Sequence, residues 1–283
     1  MKTRTLLAAI LAVTVLCTLN SSQAAVLSQP ASASRVDLML FDLWGGTWHD
    51  AEKSPDNGQD DLMCWAAAAA NVLEWTGWAD AAGITGGTDS VFAYFQDHWT
   101  DKGGLMEFGW HWWFRGTNPS EGWSGWSQVD VPGGNFAPDE DFYGVWYDRT
   151  SRDADAMEAI EQYVEDKRGI ALGVYDSEGD GGHAITCWGL SYEADGATYA
   201  GIWVSDSDDD KGDRTPEDQL RHYEVIARDG KWFLQSFYGR DSWYIGEVQA
   251  LGAIHAPEPG SIILLAVGSV ALVWRRLRFG VVL

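Results

Sequence analysis

The chain has 283 residues, of which 42 are acidic and 19 are basic, so its formal charge at neutral pH is −23. An apolar content of 46% is enough for a hydrophobic core and argues against intrinsic disorder. The excess of acid argues against nucleic acid as a partner, because binding there depends on Lys and Arg that neutralise phosphates. Three cysteines are too few for a scaffold held by disulfides.

Residues 1–24 predict a secretory signal peptide. Two basic residues precede an apolar run over residues 6–16, and small residues end the segment at Ala24 and Ala25. This order is typical of a signal that is cleaved during export. An N-terminal membrane anchor is the alternative, although it needs a longer apolar run. The polar residues 25–35 that follow are interpreted as a linker.

Residues 256–283 predict a sorting signal. Pro257-Glu258-Pro259 precedes an apolar run over residues 261–274, and a cluster of arginines follows at 275–278. As a helix this run is about 21 Å long, short of the ~30 Å hydrocarbon core. The segment resembles a PEP-CTERM tail, which implies transient membrane association and cleavage by an exosortase-type enzyme at the envelope or surface of a Gram-negative bacterium. A plain C-terminal anchor is the alternative.

The first half of the body predicts two helices and a long loop. Residues 61–75 are rich in alanine, a strong helix former, and Asp60-Asp61 can cap their start. Residues 153–167 carry apolar side chains along one face, which predicts an amphipathic helix. Residues 100–145 are rich in glycine, tryptophan, asparagine and proline and are expected to form an aromatic loop region.

The second half predicts an antiparallel sheet. Asp195-Gly196 and Asp229-Gly230 have the composition of tight hairpin turns. The predicted strands cover residues 170–175, 183–192, 199–205, 223–227, 232–237 and 243–254. Helices followed by such a sheet predict a single α+β domain over residues 36–255.

Cys64 and His183 are the side chains best suited to nucleophilic catalysis. Cys64 stands near the start of the alanine-rich helix, where the helix dipole favours a thiolate. His183 opens a predicted strand, and Asp206 follows the next strand, where it can orient the imidazole. Each residue taken alone also fits a structural role, since single cysteines are commonly buried as small hydrophobic groups.

Five short segments resemble the streptococcal immunoglobulin-degrading endopeptidases, the IdeS-like cysteine peptidases of family C66. The matching segments are Trp48-His49-Asp50 with Lys53, Asp60–Cys64 with its helix, Gly182–Ile185, Val204–Asp208 and Ile245–Gly252. They occur in the same order, whereas residues 76–169 match poorly. The resemblance implies a papain-like fold, with the nucleophile on an N-terminal helix and the His and Asp on an antiparallel sheet.

The resemblance also implies a role for each matching residue. Cys64 is the implied nucleophile, His183 the base and Asp206 the residue that orients it, with Asp208 as a supporting acid. The implied function is an exported cysteine endopeptidase that cleaves a protein or peptide through an acyl-enzyme and uses no cofactor.

The donor for the oxyanion has two candidates. The resemblance implies Lys53 together with the backbone N–H of Cys64. Gln59 is a rival, because papain-like peptidases place a glutamine shortly before the cysteine. Removal of one such donor typically slows catalysis by about 10²–10³.

Residues 206–217 favour a calcium site as an alternative. Their acids occupy positions 1, 3, 5 and 12 of an EF-hand spacing, but Lys211 stands where that loop requires glycine. A solvated acidic turn is the other interpretation. Calcium bound by Asp206 and Asp208 would compete with His183 for these two carboxylates.

A tryptophan-rich segment, residues 99–126, favours a different alternative function. Its six tryptophans are Trp99, Trp110, Trp112, Trp113, Trp123 and Trp126. Exposed aromatic rings bind carbohydrate or protein, so a non-catalytic surface or exopolysaccharide-binding protein is the alternative to an enzyme. Aromatic packing within the fold is the structural interpretation of the same residues.

Cys187 follows His183 by four residues in the same predicted strand. A disulfide between Cys187 and Cys64 would abolish a thiol-dependent activity. A buried free thiol is the expectation for Cys187.

Overall fold

The computed structural model describes residues 35–54, 58–116, 132–179, 181–208 and 218–254. The helices are α1 (Leu40–Trp44), α2 (Cys64–Trp75), α3 (Trp78–Ala81), α4 (Thr88–His98), α5 (Met106–Arg115) and α6 (Ala156–Glu165). The strands are β1 (Val36–Met39), β2 (Tyr147–Thr150), β3 (Arg168–Asp176), β4 (Gly182–Tyr192), β5 (Tyr199–Ser205), β6 (Arg221–Arg228), β7 (Lys231–Leu234) and β8 (Trp243–Gly252). The predicted signal peptide and sorting tail lie outside the described residues.

All strand pairs in the sheet are antiparallel, and six strands close on themselves. The order runs β4-β3-β8-β7-β6-β5, and β5 pairs again with β4, while β1 adds to β4 and β2 adds to β8. In the β4–β5 pair Thr186 lies opposite Ser205. This register brings the start of β4 beside the end of β5, which places His183 near Asp206.

Helix α2 lies at the centre of the helical layer and packs on α4, α5, β3 and β4. Its alanines from Ala66 to Ala70 are at most 2% exposed, and their small side chains allow close approach to the sheet. Asn71 fixes this approach with three hydrogen bonds. Its Oδ1 accepts from the backbone N–H of Ala51 at 2.8 Å, and its Nδ2 donates to Oγ1 of Thr186 at 2.9 Å and to Oγ of Ser205 at 3.4 Å. The second half of α2 is thereby held against β4 and β5.

The predicted cap of this helix is wrong. α2 begins at Cys64, three residues later than predicted, and the residue before it, Met63, makes no side-chain cap. The carboxylate of Asp60 instead accepts from the backbone N–H of Ser54 at 2.9 Å and from Gln96 at 2.8 Å. Asp60 therefore stabilises the loop before the cysteine, because tertiary donors compete successfully for its oxygens.

The expectation that residues 100–145 form a loop is wrong for Met106–Arg115, which form α5. Seven of its ten residues are buried, and the other three, Phe108, His111 and Arg115, lie along one narrow face of the helix. Gly109 lets the helix approach the core closely, because a Cβ there would lie 2.9 Å from the ring of Trp65. Tertiary burial thus outweighs the local composition.

The other predicted elements are confirmed with small shifts of their ends. The helix predicted at 153–167 is α-helical over Ala156–Glu165, with Met157, Ile160 and Val164 buried as expected. The two hairpin turns are present, and Gly196 and Gly230 both have positive φ. Within the part of the chain that the structure describes, no helix combines the length and apolar character needed to cross a membrane.

Candidate active site

Cys64 is the first residue of α2, and its thiol hydrogen-bonds with the imidazole of His183. The backbone N–H of Ala184 donates a second hydrogen bond to the sulfur. Burial raises the pKa of the Cys64 thiol, but the His183 hydrogen bond and charge, the charge of Lys53 and the Ala184 N–H together hold that pKa below its ordinary value. The site therefore favours a thiolate.

His183 is held between this sulfur and a buried carboxylate. Its Nε2 lies 2.6 Å from Oδ1 of Asp206, which leaves Nδ1 as the nitrogen that faces Cys64. Burial lowers the pKa of His183, but the charge and hydrogen bond of Asp206, with those of Cys64, raise it to about 10. The raised pKa of His183 favours the imidazolium, and the lowered pKa of Cys64 favours a thiolate beside it.

Asp206 is 1% exposed and is surrounded by donors. Besides His183, its oxygens accept from the backbone N–H of Asp208 at 3.0 Å and from the hydroxyl of Tyr238 at 2.8 Å. Burial raises the pKa of Asp206, but the charge of His183 and these hydrogen bonds keep it below its ordinary value. A charged Asp206 fixes the orientation of the imidazole ring.

Tyr238 is a residue of the site that the sequence did not predict. It lies in the turn between β7 and β8 with a positive φ of 49°. Its hydroxyl also lies 3.2 Å from Nε2 of His183. Tyr238 is 46% exposed as a residue, but desolvation at its hydroxyl and the neighbouring charge of Asp206 raise its pKa, so the phenol stays protonated as a donor. Its contacts reach far back along the chain, so no local pattern identifies it.

Lys53 lies in the cleft beside Cys64, whereas its rival Gln59 is exposed and does not line the cleft. The ammonium of Lys53 is 2.8 Å from Oδ1 of Asp208 and donates to the backbone oxygen of Asp61 at 2.6 Å. The Lys53 side chain is 1% exposed, so its charge depends on these partners. Asp208 thus holds Lys53, and its other oxygen lies 3.9 Å from Nδ1 of His183.

Cys64 and His183 line a cleft of about 500 Å³ between the start of α2 and strands β3, β4 and β8. Such a cleft has the size of a binding site for a small molecule or a few peptide residues. Its lining residues are Lys53, Asp61, Leu62, Cys64, Gly103, Gly104, Leu105, Met106, Phe108, Gly173, Tyr175, Gly182, His183, Ala184, Asp208 and Glu247.

The acidic residues 206–217 are only partly described, because 209–217 lie outside the described residues. Within the described ranges, Asp206 hydrogen-bonds to His183, and Asp208 forms an ion pair with Lys53. The same ranges contain no group of three or more His, Cys, Asp and Glu side chains arranged to hold a metal ion. The two acids that began the predicted calcium spacing therefore belong to the cysteine site.

Four of the six tryptophans in residues 99–126 are buried in the core. Trp99, Trp110, Trp112 and Trp113 are at most 3% exposed. Trp112 and Trp113 pack against Phe95 of α4, Trp99 packs against Trp65, and Trp110 packs against Tyr147. The binding-surface interpretation is wrong for these four, while Trp123 and Trp126 lie outside the described residues.

Cys187 is a free, fully buried thiol, as expected, and Cys64 is also free. The Cys187 sulfur donates to the backbone oxygen of Gly189 at 3.4 Å. Burial raises the pKa of this thiol to about 12. Cys187 is therefore unreactive at neutral pH, in contrast to Cys64.

Comparison with known proteins identifies the C-terminal end of the chain. A family model described as the PEP-CTERM protein-sorting motif matches residues 255–278. No curated protein matches the chain. The match confirms the predicted sorting tail and covers Pro257-Glu258-Pro259, the apolar run and the arginine cluster. The chain therefore carries the sorting signal of proteins that a Gram-negative bacterium exports and an exosortase-type enzyme directs to the cell envelope.

Proposed function

We propose that this exported protein is a cysteine endopeptidase that hydrolyses peptide bonds through Cys64, His183 and Asp206. The observation that carries the proposal is the chain of hydrogen bonds from the Cys64 thiol through the His183 imidazole to Asp206, at the wall of an open cleft. A merely structural cysteine needs neither a buried His–Asp pair nor a thiol pKa below its ordinary value.

The first step is attack of the Cys64 thiolate on the carbonyl carbon of the scissile peptide. The proton of the thiol already resides on His183, because the two pKa values are shifted in opposite directions. No separate base is therefore required when the substrate arrives. Asp206 stabilises the imidazolium and keeps its second nitrogen toward the sulfur.

The tetrahedral oxyanion needs donors beside the sulfur. The first N–H groups of a helix have no partner within it, so the backbone N–H at Cys64 is suited to this role. The ammonium of Lys53 supplies a second donor and a positive charge from the same wall of the cleft. Gln59 is exposed, and this supports Lys53 over Gln59 for the role.

The remaining steps use His183 as acid and then as base. The imidazolium donates its proton to the leaving amine, and the C–N bond breaks to leave a thioester on Cys64. Neutral His183 then takes a proton from water, which attacks the thioester and releases the acid. The thiolate and the imidazolium are restored, so the cycle needs no cofactor.

The choice of a peptide as substrate rests on the sequence resemblance. The residues that resemble the immunoglobulin-degrading endopeptidases, in segments around Cys64, His183 and Asp206, are the ones that meet at the cleft. We propose on the same residues that the chain belongs to the IdeS-like cysteine peptidases. Immunoglobulin is not carried over as the substrate, because specificity depends on surfaces outside these segments.

Thiol labelling tests whether Cys64 is activated. The protein is treated with iodoacetamide at neutral pH, and alkylation of each cysteine is followed by mass spectrometry. We expect fast modification of Cys64, slow modification of Cys187, and slow modification of Cys64 in His183→Ala. Cys64 labelling that is slow and unchanged by His183→Ala would contradict the proposal.

A further inference from the structure

Glu247 is an acidic side chain in the wall of the cleft that the proposed chemistry does not use. It lies on β8, and its side chain is only 10% exposed. A register shift at Gly246 gives β8 one extra residue opposite Gly173 and Val174 of β3. This bulge separates Glu247 from the core-facing Ile245 and directs it to the cleft side of the sheet.

The floor of the cleft next to Glu247 is formed by β3. Gly173 lies directly opposite Glu247 in the register and has no side chain. A Cβ at Gly173 would lie 3.2 Å from the hydroxyl of Tyr175 and 3.3 Å from Cβ of Glu247, both closer than ordinary contact, so these two side chains already close over the glycine. Tyr175 and Glu247 therefore both form the surface that a substrate side chain in the cleft would meet.

The distance from the nucleophile suits a long side chain. Ala184, whose N–H bonds to the Cys64 sulfur, pairs with Gly173, which pairs with Glu247. Neighbouring strands are ~4.8 Å apart, so Ala184 and Glu247 are separated by about 10 Å. The extended side chain of lysine, built from ~1.5 Å bonds, reaches about 6 Å, and that of Glu247 reaches about 4 Å. Together the two side chains cover a separation of about 10 Å, so a lysine or arginine near the scissile bond can meet the carboxylate.

The charge around Glu247 favours a cation. Arg149 lies 3.2 Å from Glu107 and 3.5 Å from Glu247, so two carboxyl groups share this one cation. Burial and the charge of Glu107 raise the pKa of Glu247. They outweigh the hydrogen bond of Gln249 and the charge of Arg149, which lower it. A substrate cation would stabilise the ionised form of this buried carboxylate.

The cleft also has apolar lining. Leu105, Met106 and Phe108 line it together with Glu247. Apolar side chains and a carboxylate in one cleft suit the hydrocarbon stem and charged end of lysine or arginine. An acidic side chain would meet repulsion at the same place.

We propose that Glu247 is a specificity-determining residue that binds a lysine or arginine side chain of the substrate within two residues of the scissile bond. This inference rests on the proposed peptidase function. It identifies the substrate as a peptide with a basic residue beside the cleaved bond.

The test uses two pairs of peptidyl acyloxymethyl ketones, which alkylate an activated cysteine. The members of a pair differ only in lysine or norleucine, at the first or the second position before the ketone, so they differ by one charge. The full-length protein, Glu247→Gln and Glu247→Asp are compared by the rate of Cys64 modification. Glu158→Gln is the matched control, because Glu158 is exposed on α6 and its replacement removes the same charge.

We expect Cys64 of the wild-type protein to react about 10-fold faster or more with the lysine probe than with the norleucine probe in one of the pairs. A preference of this size is what a hydrogen bond to a charged group typically contributes. The ratio falls to about one in Glu247→Gln, stays well above one in Glu247→Asp, and is unchanged in Glu158→Gln. A folding defect slows both probes together and leaves the ratio intact.

Two results would overturn the inference and separate it from the proposed function. Fast labelling of Cys64 without a lysine preference, or with a preference that survives Glu247→Gln, overturns the inference alone. Failure of every ketone and of iodoacetamide to modify Cys64 overturns the proposed function, and the inference with it.

Discussion

The hydroxyl of Tyr238 donates a 2.8 Å hydrogen bond to Oδ2 of Asp206 and also lies 3.2 Å from Nε2 of His183. Asp206 thus uses one oxygen for the imidazole and the other for the phenol. Because Asp206 is buried, both donors contribute to keeping it charged. In the proposed reaction Tyr238 would act through Asp206, so we assign it as a positioning residue.

Tyr238→Phe is predicted to lower kcat by about 10-fold with little change in KM, because loss of a hydrogen bond to a buried charge is worth roughly 1.5–3 kcal/mol. The measurement is peptide cleavage as a function of pH, since a weaker Asp206 also lowers the pKa of His183. The control is Tyr192→Phe, which removes a phenol–carboxylate hydrogen bond to Glu161 away from the site. Equal kcat and pH profiles for both variants would contradict the positioning role.

The opposite pKa shifts of Cys64 and His183 predict the pH dependence of the proposed peptidase. The pKa of Cys64 is lowered, so the thiolate persists below the ordinary thiol value of ~8.5 and is lost only as the pH falls through the lowered pKa. The pKa of His183 is raised to about 10, so the proton for the leaving amine is lost as the pH rises through that value. We therefore expect a plateau of kcat/KM around neutral pH with falls on both sides.

The same pair predicts a shift in reactivity when the imidazole is removed. In His183→Ala the rate of Cys64 alkylation is expected to rise with pH in the range of an ordinary thiol. The measurement is the pH profile of alkylation by mass spectrometry. Superimposable profiles for the wild-type protein and His183→Ala would show that the thiol is not activated by His183.

Lys53→Met is predicted to lower kcat by about 10²–10³, the usual cost of one oxyanion donor, whereas Gln59→Ala leaves kcat unchanged. The measurement is steady-state cleavage of one peptide. Because Lys53→Met also leaves the carboxylate of Asp208 without its cation, Lys53→Met/Asp208→Asn serves as the control for folding. A large loss in Gln59→Ala with an active Lys53→Met would reverse the assignment.

Local patterns predicted the residues that meet in the site but not all the contacts that complete it. The thiol, the imidazole and the carboxylate could be inferred because each stands at the end of a helix or a strand with a clear composition. Tyr238 could not, since it follows β7 in a turn with left-handed residues and contacts Asp206 across the fold. No spacing in the sequence encodes that distance.

Two further features show where periodicity fails. The α5 helix buries seven of its ten residues, and this wide buried face obscures the helical spacing of the other three in the sequence. Glu247 is on a strand with a bulge at Gly246, and one extra residue reverses which face its side chain occupies. In both cases the packing of distant segments determines the outcome.

The most direct test of the peptidase proposal is cleavage of a proteome-derived peptide library under reducing conditions by the wild-type protein and by Cys64→Ala, with new termini identified by mass spectrometry. We predict cleavage by the wild-type protein and none by Cys64→Ala, whose helix and core are otherwise intact because alanine fits the start of α2. Absence of cleavage by the wild-type protein, or equal cleavage by both, would contradict the proposal.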